Sequence, residues 1–281
     1  MKKSHALIIG ILVLSLMISS LFSGCSSADT SKLKVVTSTF LIAQIVERVG
    51  GERVDVVNVV PPAQHPGDFD AKPGDIQKLA DADLFLLHGW PGETFAEGLI
   101  ASADNPDLTV VKIDIKGNWM TPPAQLEATD KIVAALSQVD SENSSTYQKS
   151  AAEYKDKIIA KEAEIKARLA KVNLSDVNVM CAFWQAGFVK WTGLNIVATY
   201  GDPESLTPKV VRDLVDKGRE AEVTLIIDNL HSGRDAGKAI AEELGSERII
   251  LSNFPGGFDN TETWEKAIDR NIELILEAIT Q

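Results

Sequence analysis

SENSSTYQKSAAEYKDKIIAKEAEIKARLAKV, residues 141–172, is the stretch on which the fold turns. Tyr147, Ala151, Tyr154, Ile158, Ile165, Leu169 and Val172 recur at intervals of three, four or seven, which draws one apolar stripe along a helix. Glu and Lys occupy the other faces, and neither Gly nor Pro interrupts the run. At 1.5 Å per residue the helix would be roughly 45 Å long. That is more than a helix packed on one sheet needs and enough to reach from one lobe to another.

On either side of this connector, short β-branched runs alternate with longer helical patterns, the signature of α/β architecture with mainly parallel sheets. Strands are expected at residues 34–38, 54–60, 84–88 and 110–113 before it, and at 178–183, 224–228 and 248–252 after it. The expected fold class is therefore α/β, with two lobes, each a mainly parallel sheet with flanking helices, joined by one long rigid helix. The boundaries read as an N-terminal lobe at 33–140, the connecting helix at 141–172 and a C-terminal lobe at 173–281. Thr207-Pro208 offers an N-cap followed by proline at the first helical position, with Gly218 expected to end that helix. Pro73-Gly74-Asp75 opens a similar helix in the first half.

The start of the chain has a different character. Lys2 and Lys3 precede an apolar stretch from Ala6 to Phe22, broken by Gly10, Ser15, Ser19 and Ser20, and the stretch closes on Leu21-Phe22-Ser23-Gly24-Cys25. A basic n-region, an apolar h-region and small residues before the cut describe an export signal. The pair Ser23-Gly24 before a cysteine resembles the lipobox of bacterial and archaeal lipoproteins, which implies lipidation at Cys25, a signal peptide at 1–24 and a tether at 25–32. An uncleaved anchor helix is the alternative. Either reading puts the remainder on the outer face of the cytoplasmic membrane.

Lys2 and Lys3 are the only charges in the signal, so the mature chain carries 26 basic against 40 acidic residues, a formal charge of −14. Nucleic acid is excluded as a partner, because its binding depends on Lys and Arg neutralising phosphates. With Cys25 lipidated, Cys181 is the sole remaining cysteine and no intrachain disulfide can form. Stability has to come from apolar cores, for which 44% hydrophobic residues suffice.

Val35-Val36-Thr37-Ser38, Val46-Glu47-Arg48-Val49-Gly50-Gly51, Val59-Val60-Pro61-Pro62, Pro73-Gly74-Asp75-Ile76 and Ala82-Asp83-Leu84 together resemble the TroA-like or ZnuA-like zinc and manganese solute-binding lipoproteins of ABC importers. Thr207-Pro208 and a C-terminal helix from Trp264 to Ile279, carrying Asn271, extend the resemblance over nearly all of the mature chain. It implies a cleft between the lobes, closure by small shifts about a stiff link, a monomeric receptor, and a membrane permease and ATPase as partners, with zinc or manganese as cargo.

The resemblance also implies metal ligands on loops at strand ends, usually two histidines in the first lobe and a His or Glu with an Asp or Glu in the second. This chain departs at each position. Where a Pro-His-x-Tyr-like run is expected, Gln64-His65-Pro66-Gly67-Asp68-Phe69 puts Gly67 or Asp68 at the histidine. A Pro-His-x-Trp-like segment reads Gly117-Asn118-Trp119-Met120-Thr121, and Asn253 stands where an Asp is usual. In the second lobe, Cys181-Ala182-Phe183-Trp184 replaces the run preceded by His or Glu.

Transition metals select imidazole, thiolate and carboxylate. A rebuilt site would draw on His65, Asp68, Cys181, Asp228 and His231, since ligands gather beyond the carboxyl ends of parallel strands. The plainer alternatives are hydrogen-bonded structural histidines, a buried Cys181, and an Asp228-Asn229-Leu230-His231 run that caps the next helix. Trp90, Trp119 and Trp184 come just after strands, in loops that the resemblance implies are directed toward the cleft, with Glu204 and Asn253 counted among its residues. Indole walls suit flat organic solutes, organic cations or a chelated metal, and they would equally serve to pack the lobes together. A transition-metal receptor is therefore the first reading, and the same role for an aromatic-recognised organic solute or metal chelate is the second. A cargo-free surface adhesin is the third. No Gly-rich phosphate loop or nucleophile elbow marks an enzyme.

Overall fold

The computed structural model describes residues 32–62 and 64–280, so the export signal, Cys25 and almost all of the tether lie outside the described residues. From Lys32 onward the chain forms one compact unit. The first half runs β1 (Leu33–Thr37), α1 (Phe40–Gly50), β2 (Val54–Asn58), α2 (Pro73–Ala80), β3 (Leu84–Leu87), α3 (Phe95–Ala103), β4 (Thr109–Lys112) and α4 (Pro122–Val139). After α5 (Ser144–Leu169), the second half runs β5 (Asn178–Ala182), α6 (Ala186–Thr192), β6 (Asn195–Tyr200), α7 (Pro208–Glu220), β7 (Leu225–Asn229), α8 (Lys238–Leu244), β8 (Glu247–Leu251) and α9 (Trp264–Thr280).

Each half is a four-stranded sheet, and the two share a plan: the order is β2-β1-β3-β4 in one and β6-β5-β7-β8 in the other. Every strand pairing is parallel. Because side chains alternate across a strand, Val35, Leu84 and Leu86 enter a central core while Val36, Phe85 and Leu87 enter an outer one beneath α2 and α3. Likewise Val179, Cys181 and Ile227 point to the central core, and Met180 and Ile226 point to an outer core beneath α7 and α8. Covered on both faces, the central strands β3 and β7 are buried along their length, as the interior of a parallel sheet requires. β6 went unread in the sequence. It is an edge strand with half-exposed side chains, next to a turn at Gly193 with φ 95°.

The expected long helix is present, with a 3-10 turn at Ser141–Asn143 and then 26 α-helical residues, and it ends at Leu169, so that Val172 lies beyond it. At 1.5 Å per residue that is about 39 Å. Tyr147, Ala151, Tyr154, Ile158, Ile165 and Leu169 of α5 are buried in the central core, to which both sheets contribute. Full burial of each Ile or Leu contributes roughly 1.5–3 kcal/mol, so the stripe holds the strut to both lobes at once.

A second connection comes from α9. Lys161 and Arg168 of α5 pair with Asp269 at 2.9 and 3.0 Å, and Arg48 of α1 pairs with Glu265 at 2.8 Å. Trp264 donates from Nε1 to the Met120 carbonyl at 3.0 Å, and its backbone N–H reaches Gln44 Oε1 at 3.0 Å. The chain's last helix is thereby anchored on the first lobe.

One expectation is corrected. Gly218 does not end its helix, since α7 continues to Glu220. Gly218 sits inside it because a Cβ there would lie 2.6 Å from Leu244 Cδ1. The expected cap at Thr207 is present, its hydroxyl accepting from the Val210 N–H at 3.4 Å. Among the described residues, no helix is long and apolar enough to cross a membrane.

Candidate functional site

In both sheets the strand order reverses beside the first strand, and crevices open beyond the carboxyl ends of strands at such switch points. The two sets of carboxyl-end loops border one cleft of about 420 Å³. The first half contributes His65, Trp90, Asn118 and Trp119; the second contributes Trp184, Asn229, His231, Asn253 and Phe254.

Trp90 is held in place from behind. Gly89, at φ 77°, lets the chain turn sharply after β3, and the buried Glu93 carboxylate collects the backbone N–H groups of His88, Gly89 and Trp90 at 3.2, 2.6 and 3.1 Å. His88 stacks flat on Trp90, centroids 3.6 Å apart and planes 5° apart, while Trp119 meets His88 edge-on at 4.3 Å. His88 is buried with Nε2 2.6 Å from Thr39 Oγ1. Burial pushes its pKa well below the usual 6.5, so the ring is neutral. His88 is therefore a packing element behind the cleft wall.

His65 accepts at Nδ1 from the Gly67 N–H at 3.1 Å. An accepting Nδ1 leaves the proton on Nε2, so the tautomer assigned from this contact makes Nε2 a donor. The ring folds over Gly67, where a Cβ would come within 3.0 Å of Cε1 and Nδ1. The imidazole thus fills the space that a side chain at 67 would take. His231 is also fixed by its neighbours. Ser252 Oγ donates its one proton to the Phe254 carbonyl at 2.6 Å, so at 2.9 Å it is His231 Nε2 that donates to Oγ. Asn229 Oδ1 accepts from the backbone N–H groups of His231 and Ser232 at 2.8 and 3.0 Å, shaping that loop.

Across the cleft, Asn118 Nδ2 donates to Asn253 Oδ1 at 2.8 Å and to the Trp184 carbonyl at 3.1 Å, and Asn253 Nδ2 reaches the same carbonyl at 3.0 Å. Two neutral amides thus join the lobes. Behind Asn253, Asn271 of α9 holds the end of β8 by accepting from Ser252 N–H at 3.0 Å and donating to Ser252 O at 2.8 Å.

The five residues considered as a rebuilt metal site do not converge. Only His65 and His231 line the cleft. Asp68 is exposed on the turn after His65 and does not line it. Cys181 is buried mid-strand, and desolvation raises its thiol to about 12, so no thiolate forms there. Asp228 is buried beneath the loop, with Oδ1 accepting from Tyr200 Oη and Gly237 N–H, both at 2.7 Å, and Oδ2 paired with Arg248 at 2.6 Å. Gly237 precedes α8, so Asp228 ties down the residue just before that helix, which has no side-chain cap of its own. Among the described residues, no group of three or more His, Cys, Asp or Glu is placed to hold an ion. Of the other cleft candidates, Trp90, Trp119, Trp184 and Asn253 line it, whereas Glu204 is exposed on the turn Pro203–Ser205 away from it. Sequence reasoning missed Asn229 and Phe254. Only the position of Asn229 at the end of an apolar strand hinted at its role.

The family described as ZnuA, zinc-uptake complex component A periplasmic, matches this chain over residues 35–278. The chain belongs to the ZnuA family. Among ZnuA-family relatives it is 26% identical over 287 residues to the metal ABC transporter substrate-binding lipoprotein SsaB of Streptococcus sanguinis, covering 91% of this chain and 92% of that one. It is 23% identical over 276 residues to the iron-binding protein YfeA of Yersinia pestis, covering 90% and 89%. In fold it matches the solute-binding protein FpvC of Pseudomonas aeruginosa, solved with Mn2+, at a TM-score of 0.77 and 21% identity over 89% of this chain and 99% of that one. A Mn-bound periplasmic metal-binding protein of Candidatus Liberibacter asiaticus matches at 0.75 and 18% identity, covering 88% and 99%. The family description names a component of a zinc-uptake complex, and SsaB is a substrate-binding lipoprotein of a metal ABC transporter. The TroA-like or ZnuA-like resemblance drawn from the sequence is the family found.

Proposed function

We propose that this chain is the extracytoplasmic receptor of an ABC importer and captures a transition metal of the zinc and manganese class in the cleft between its lobes. The observation that carries this reading is the pairing of two like-ordered parallel sheets, their carboxyl-end loops facing one cleft, in a chain of the ZnuA family. The relatives' description as metal ABC transporter substrate-binding lipoproteins supports the cargo and the partners, a permease and an ATPase. It supports equally a lipid anchor at Cys25 on the outer face of the membrane. The protein acts as a monomer, the α5 strut and α9 limiting closure to small shifts of one lobe against the other.

The test is the content of the full chain isolated without chelators from cells that express it. Elemental analysis with native mass spectrometry should find close to one transition-metal ion per chain. A metal-free protein carrying a purely organic mass would refute the metal cargo. Substituting Cys25→Ser should release the protein from the membrane fraction, and retention would count against the anchor.

A further inference from the structure

The donors that line the cleft do not suit a bare divalent cation. Among the described residues, none that lines it is Asp, Glu or Cys. The Asn118 and Asn253 amides are already engaged with each other and with Trp184 O. His65 has its Nδ1 lone pair committed to the Gly67 N–H, the reverse of a metal-bound imidazole, whose second nitrogen donates to an acceptor. An ion desolvated here would have no protein charge to neutralise it, and unpaired buried charge is costly. The space is also far larger than an ion, at about 420 Å³, which is the size of a site for a small organic molecule.

What the cleft does offer is aromatic surface and neutral donors. Trp90 and Trp119 form a wall braced through His88, and Trp184 stands across from them, half-exposed. The Nε2 of His65 carries a proton to donate. We propose that the metal arrives already enclosed by a small, flat organic chelator with oxygen acceptors, so that the cleft recognises a complex of low net charge by ring stacking and hydrogen bonding. This deepens the reading of the chain as a metal-import receptor and rests on it.

A defined probe is the one-to-one complex of Zn2+ with pyridine-2,6-dicarboxylate, which is planar, neutral and rimmed by carboxylate oxygens. Its binding to the metal-stripped full chain is measured by tryptophan fluorescence and thermal shift, against zinc chloride, manganese chloride and the dicarboxylate alone. The complex should bind at least about tenfold more tightly than either salt. Trp184→Ala should weaken it by about threefold to tenfold, the scale of one aromatic contact, while leaving the backbone carbonyl that the two amides share. His65→Phe keeps a ring over Gly67 but removes the donor, and should weaken binding of the complex with circular dichroism unchanged. Equal or tighter saturable binding of the bare salts overturns the chelate proposal and leaves the importer reading standing. Failure of the salts, this complex and the corresponding phenanthroline and citrate complexes alike overturns both.

Discussion

Acidification should destabilise this protein through His88. The ring is 1% exposed and sandwiched against Trp90 and Trp119, and burial holds its folded-state pKa well below the ordinary 6.5. Below that ordinary value the unfolded chain takes up a proton that the folded chain refuses. Stability is therefore complete above it and is lost as the pH falls, until the folded pKa is reached. For one such group, linkage gives about 1.4 kcal/mol between roughly pH 7.5 and 5.5, or about 3–5 °C in melting temperature for a domain of this size. Comparing melting curves of the native chain and His88→Phe over this range isolates the histidine's contribution. The variant keeps the stack and cannot titrate, and the carboxylates contribute equally to both. Leaving Thr39 Oγ1 without its partner lowers the variant's absolute stability by about 1–3 kcal/mol, so the pH slope is the readout. The native protein should lose about 3–5 °C more than the variant. Parallel curves would refute the buried neutral histidine.

Three other contacts have measurable consequences. Cys181, with its thiol raised to about 12, should resist a disulfide reagent at about pH 8 in the native state and react at once in denaturant; prompt native labelling would contradict its burial. Gly237→Ala should destabilise by about 1–3 kcal/mol, because the added Cβ would lie 2.5 Å from Tyr200 Oη and 2.9 Å from Asp228 Oδ1; an unchanged denaturation midpoint would show that the α8 anchor yields. Asn253→Asp exchanges an amide that donates to Trp184 O for a carboxylate, and should raise affinity for bare Zn2+ at least about tenfold, on the scale of a charge-assisted contact. Calorimetric titration with zinc chloride checks this, and no gain would mean that the missing carboxylate is not what disfavours the bare ion.

The two-lobed plan could be read from residues alone because it rests on local periodicity. The stripe from Tyr147 to Leu169 and the β-branched runs around it are legible wherever they occur, since 3.6-residue and two-residue repeats decide which side chains face a core. β6 escaped although the other three edge strands were read, its residues before Tyr200 being exposed or half-buried, and Gly218 misled because a glycine needed for close helix packing looks the same in sequence as one that ends a helix.

The cleft chemistry was decided only by tertiary structure. That His65 leans back over Gly67 depends on one loop's backbone, and nothing in the residues between positions 118 and 253 shows that two amides will meet across the lobes. Cys181 and Asp228 looked available as ligands, and folding removed both, one into the core and the other into a network with Tyr200 and Arg248. Periodicity specifies which face of an element is buried and so reaches as far as the lobes and their strut. Which donors keep free lone pairs at the strand ends depends on contacts between distant segments, and those come into being only when the chain folds.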